Sequence, residues 1–178
     1  MFRKLIASGV AAVALIATLT ACAAPVDDHA GHDHASALTV TDVWVKAVPD
    51  LGEMPMTGAF MVIENTSDED LYITGGTDSS GITEMPLEAH EVVMDDSGEM
   101  VMQVVDGGIK IPAGESVQLM PGGYHIMYLM MMKPVAVGDT ITFTLNVSDG
   151  STLELSAIAM TLEGGVEEYV PAGEGMDG

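Results

Sequence analysis

Two short patterns, Met100-x-Met102 and His125-x-Met127, carry the side chains of this chain best suited to holding a soft metal ion. They lie between His90 and Met132, a stretch with two of the five histidines and eight of the fifteen methionines. In an extended strand, side chains at i and i+2 point to the same face. Each pattern therefore presents two donor atoms side by side. Thioether sulfur and imidazole nitrogen form a soft-to-borderline set that suits copper, above all Cu(I). His90, with Glu88 and Glu91 beside it, lies 12 residues before Met102. From the residues alone the ligand set stays open, because methionine is ordinarily core filler. Met61, Met85 and Met160 are read in that way. Met100, Met94, Met120 and the Met130–Met132 run remain alternatives to Met102 and Met127.

The elements that must position these groups read as short strands between turns. DDSG, DGG, PAG and PGG separate runs rich in Val, Ile, Tyr and Met, an all-β signal. Upstream, LTVTDVWVKAVP (38–49) alternates but breaks period near Val43, which predicts a bulge. Trp44, the only tryptophan, is assigned to the core. GAFMVIEN (58–65) and Leu71–Thr74 follow as strands, with GGTDSSG read as a turn. Pro86 divides the segment 82–93 or places it at an edge. TITFTLNV (140–147) and 152–160 form a hairpin around SDGS. The expected architecture is all-β: an antiparallel Greek-key sandwich or barrel of eight to ten strands with no helix.

The ends give an address. Arg3 and Lys4 precede an apolar run to Leu19, too short to span a bilayer comfortably, and Leu19-Thr20-Ala21-Cys22 follows. Residues 1–21 are read as a lipoprotein signal peptide and Cys22 as the lipid-modified first residue. Residues 22–37 form a tether whose His29, His32 and His34, with Asp28 and Asp33, suit a second site for Cu(II) or Zn(II). Residues 38–162 form the β domain and 163–178 an acidic tail. The mature chain has three lysines (Lys46, Lys110, Lys133) against 27 acids, a formal charge of −24. This excludes phosphate-based binding to nucleic acid and leaves the lipid as the membrane contact.

The single cysteine also narrows the chemistry. With Cys22 committed to lipid, no thiolate remains for an electron-transfer copper site. Two histidines in the domain, with thioethers that activate water poorly, argue against an enzyme. A copper-independent scaffold or adhesion lipoprotein is the competing reading. It would leave His90 and His125 far apart, whereas a copper carrier would gather them at one shallow, partly open site.

The order His, Met, His-x-Met, with IPAG and PGGYHIM between, resembles the extracytoplasmic copper chaperones called PCu(A)C. DVWVKAVP, TGAFMVIEN, EAHE and VMQVVDGG extend the resemblance over about residues 39–160. It implies a cupredoxin-like β-sandwich with His90, Met102, His125 and Met127 as copper ligands. It further implies delivery of Cu(I) to the CuA site in cytochrome c oxidase subunit II. The intervals between ligands, 11 residues (91–101) and 22 (103–124), are each one longer than is usual in that family. Both extra residues can sit in turns, and VMQ aligns with Met102 rather than Met100.

Overall fold

The computed structural model describes residues 37–162, and every regular element in them is a strand. In chain order these are β1 (Leu38–Lys46), β2 (Thr57–Asn65), β3 (Leu71–Asp78), β4 (Glu88–Met94) and β5 (Met100–Val104). β6 (Ile109–Ile111), β7 (Ser116–Leu119), β8 (His125–Tyr128), β9 (Thr140–Val147) and β10 (Thr152–Met160) complete the set. The signal peptide, Cys22, the tether histidines His29, His32 and His34, and the acidic tail all lie outside the described residues.

The strands form one sheet in the order β5-β4-β8-β2-β1-β10-β9-β3-β6, with β7 on the far half of β2. The sheet curls until β3 reaches the segment entering β4. There Gly76 and Leu87 exchange both backbone hydrogen bonds, at 3.0 and 2.9 Å. A Cβ on Gly75 would lie 2.6 Å from the Leu87 carbonyl oxygen, and one on Gly76 2.3 Å from the Thr144 carbonyl oxygen of β9, so this glycine pair lets β3 lie close against both neighbours. This explains why β3 runs on through the GGT segment, which the sequence presents as a turn.

The core fills the inside of this curl. β9 alternates strictly, sending Ile141, Phe143, Leu145 and Val147 inward. The inner face of β2 adds Ala59, Met61 and Ile63, and β8 adds Ile126 and Tyr128. Burial of such side chains contributes roughly 1.5–3 kcal/mol each. No disulfide is needed to reinforce a core of this size.

Three expectations are corrected. β1 pairs with β10 in parallel, so the sheet is mixed rather than wholly antiparallel. These strands are far apart in the chain, and no hairpin turn dictates their relative direction. The predicted bulge occurs between Thr41 and Trp44, with Asp42 at a φ of 54°. It turns Val45 to the core and leaves Trp44 half-buried on the outer face. Met61 is core, but Met85 and Met160 are largely exposed.

Candidate metal centre

The outer face of β2, β8, β4 and β5 carries a second buried group, separate from the core. β8 is buried on both sides. Ile126 and Tyr128 enter the core, so His125 and Met127 face the other way. On β4 the same alternation sends Ala89 inward and His90 outward. His90 sits directly opposite His125, with ring centroids 5.8 Å apart. Met127 lies opposite Glu88 on one side and Gly58 on the other.

The β4–β5 hairpin brings in Met102. Its turn is held by the Asp95 carboxylate, which accepts from the backbone N–H groups of Ser97 and Glu99 and from the Ser97 hydroxyl. Those bonds, the Ser97 hydroxyl first, lower the Asp95 pKa. The register so set pairs Val92 with Met102 and His90 with Val104. Met102 is thus a diagonal neighbour of His90 on the same face. Met100 shares that face but pairs with Met94 at the hairpin tip, where both are exposed.

Met102, His125 and Met127 line one cleft of about 60 Å³, with Lys46, Met56 and Phe60 among its other walls. An organic ligand needs roughly 300 Å³ or more, so this volume suits a single ion. His90, His125, Met102 and Met127 are 0%, 1%, 4% and 3% exposed. A shallow, partly open placement was expected for these four side chains, but each of them is individually covered. Trp44 and Phe60 stack at 4.4 Å, and Phe60 lies 6.2 Å from His125. Gly58 makes room for that ring, since a Cβ there would come within 2.9 Å of Phe60 Cζ.

Hydrogen bonds select the tautomers. His125 Nδ1 lies 3.0 Å from the Gly123 carbonyl, which can only accept, so Nδ1–H donates. In the neutral ring the lone pair is then on Nε2. His90 Nε2 lies 2.9 Å from Glu88 Oε2. The carboxylate accepts, which places the His90 lone pair on Nδ1. A carboxylate behind an imidazole is the usual way a metal-binding histidine is oriented. Among the described residues no group of three or more His, Cys, Asp or Glu side chains could hold a metal. The groups gathered on this face, His90, His125, Met102 and Met127, are imidazoles and thioethers, a soft-to-borderline kind.

The sequence singled out His90, Met102, His125 and Met127 but not their surroundings. Glu88 could be noted only as a neighbour of His90; strand alternation puts both on one face. Met56, Phe60 and Lys46 carry no spacing signal toward the cleft and arrive there through the β2 pairings. Gly123 acts through its carbonyl, which any residue type would supply.

A mixed, curled β-sheet with a His/Met cleft on its outer face defines a PCuAC-type, cupredoxin-like domain. The solved copper-bound PCuAC domain from PmoF2 matches at a TM-score of 0.55 and 19% identity, covering 71% of this chain and 95% of that one. The solution structure of CuI-DR1885 from Deinococcus radiodurans matches at a TM-score of 0.50 and 27% identity, covering 70% and 80%. Its apo form matches at 0.51 and 26%, covering 91% and 97%. Residues 38–159 match the family described as “Putative lipoprotein LpqE-like”, and the chain belongs to that family. It is also 35% identical over 169 residues to “Putative lipoprotein Lxx21020” of Leifsonia xyli subsp. xyli, covering 94% of this chain and 96% of that protein.

Proposed function

We propose that this protein is an extracytoplasmic copper carrier that binds Cu(I) through His90, Met102, His125 and Met127. One observation carries the reading. His90 and His125 face each other across β4 and β8, outside the core, with Met102 and Met127 on the same face. A scaffold protein has no need to cover two histidines and two methionines there, and the ring separation speaks against that alternative. The copper-bound and Cu(I)-bound states named for the solved relatives agree with this donor set.

The ligands explain selectivity and release. Two thioethers and two neutral imidazoles bring no negative charge, so Cu(II) gains less than Cu(I). Lys46 on the cleft wall adds a cation that further disfavours the doubly charged ion. When the metal departs, no bare anions are left behind in a low-dielectric site. An acceptor with thiolates binds Cu(I) more strongly and draws the ion across. Such an acceptor is the dinuclear CuA site of cytochrome c oxidase subunit II, in keeping with the family resemblance. Nothing in this role requires a reaction on an organic substrate, and the protein acts as a binding protein rather than an enzyme.

The lipid on Cys22 would hold the domain at the extracytoplasmic face of the cell membrane, consistent with the lipoprotein names of its relatives. His29, His32 and His34 on the tether would take Cu(II) as a second, weaker site. The experiment is a pair of titrations on the mature chain and on a form lacking residues 23–37. The deletion is expected to remove one Cu(II) equivalent by calorimetry and to preserve Cu(I) transfer to a dithiol acceptor. Unchanged Cu(II) stoichiometry rejects the tether site. Failure of the intact chain to pass Cu(I) to the dithiol rejects the carrier role.

A further inference from the structure

The outward methionines continue beyond the cleft. Met56, which lines the cleft with His125 and Met127, also lines a neighbouring groove of about 140 Å³. Its other walls are Met54, Pro55, Leu129 and Met130. Met54 and Met130 are 62% and 65% exposed, and Met56 is half-buried. Exposure thus falls in steps from Met54 and Met130, through Met56, to the covered Met102 and Met127.

Core filling does not account for the outer three. An exposed thioether gains little from burial, and methionine is prized in cores for filling gaps. The backbone is nevertheless arranged to collect them. Met130 has a φ of 51°, a left-handed conformation that favours glycine or asparagine. Beyond it Met131 is buried in the core while Met130 stays outside. The Met131 N–H donates to the Pro55 carbonyl at 2.9 Å, fastening the Met54–Met56 loop against this turn.

We propose that Met54, Met56 and Met130 form a second Cu(I) site of three thioethers, from which the ion enters the cleft through Met56. Three soft, neutral donors suit Cu(I) and offer little to Cu(II) or Zn(II). The inward step is ligand exchange. Copper–sulfur bonds to Met54 and Met130 break as bonds to Met127 Sδ and His125 Nε2 form, and Met56 bridges the exchange. Copper stays Cu(I), and neither electron nor proton moves. The inward passage rests on the cleft reading given above; the three-thioether site does not.

The test uses the full mature chain with Cys22→Ser, which removes a competing thiol, and with 13C-labelled methionine methyls. Cu(I) is added anaerobically as its acetonitrile complex and each methyl is followed by NMR. Met102 and Met127 are expected to respond to the first equivalent, and Met54, Met56 and Met130 together to the second. Met54→Leu/Met130→Leu is expected to abolish the second response at Met56 and to slow loading of the cleft severalfold. The site is overturned if Met54, Met56 and Met130 move no more than the exposed Met85 and Met160. Unchanged loading kinetics in the double variant overturn the inward passage. A response confined to Met54, Met56 and Met130, with Met102 and Met127 still, overturns the cleft assignment and upholds the outer site.

Discussion

Replacing Met102 and Met127 together by leucine separates a ligand role from a packing role. Both side chains are buried, yet both stand outside the main core on the outer face of the sheet. Leucine keeps their apolarity and nearly their volume, so each change should cost less than about 1.5 kcal/mol. Truncation to alanine would instead cost roughly 2–5 kcal/mol. The effect on copper should be of another order, because half of the proposed donors and all of their sulfur are removed. Suppose free Cu(I) is buffered about 100-fold above the dissociation constant. Binding then stabilises the folded wild type by about 2.7 kcal/mol. For a domain of this size that raises Tm by roughly 10 °C. An affinity lowered about 100-fold leaves RT ln 2, about 0.4 kcal/mol, or some 1–2 °C. The assay is anaerobic thermal unfolding of both proteins, with and without Cu(I) held by a chelator buffer. A variant that keeps the full copper-induced rise refutes the assignment of these thioethers as ligands. An apo variant that loses far more than about 3 kcal/mol shows that they serve packing.

Glu88→Gln removes the carboxylate behind His90 while preserving shape. Loss of such an orienting partner typically costs 10–100-fold in metal affinity, about 1.4–2.7 kcal/mol. Competition with a Cu(I) chelator should show that drop, and an unchanged constant would deny Glu88 any part in orienting His90. A third prediction concerns pH and lies away from the metal. The Lys110 ammonium, 2.6 Å from Asp70, and then the Ala113 N–H hold the Asp70 carboxyl below its usual 3.8. A depressed folded pKa stabilises the fold above the unfolded value, and that contribution is lost as pH falls through the folded one. Asp70→Asn should therefore lower the unfolding midpoint slightly at pH 6, and the difference from wild type should begin to shrink below about pH 3.8 and vanish once pH has fallen through the lower folded-state value. A difference that stays undiminished as pH falls through both values would mean that shape rather than charge holds the Asp70 contact.

Much of the site was legible because strand geometry is local. The i, i+2 rule placed His125 beside Met127 without any knowledge of neighbours. Turn dipeptides cut the chain into strands, and alternation identified the buried faces of β9 and β2. The absence of a thiolate followed from counting cysteines. Which strand lies beside which was not local. Strands β4 and β8 meet across 30 intervening residues, and only that pairing puts His90 opposite His125. The same holds for the β4–β5 register that favours Met102 over Met100, since both share a face and only distance along the hairpin separates them. Trp44 shows the limit most clearly. Its size suggests a core residue, but a bulge one residue upstream reverses the alternation and turns it outward. Hydrophobic patterning tells which positions are to be buried. Tertiary pairing decides against what, because register and strand order depend on contacts between segments that the chain separates.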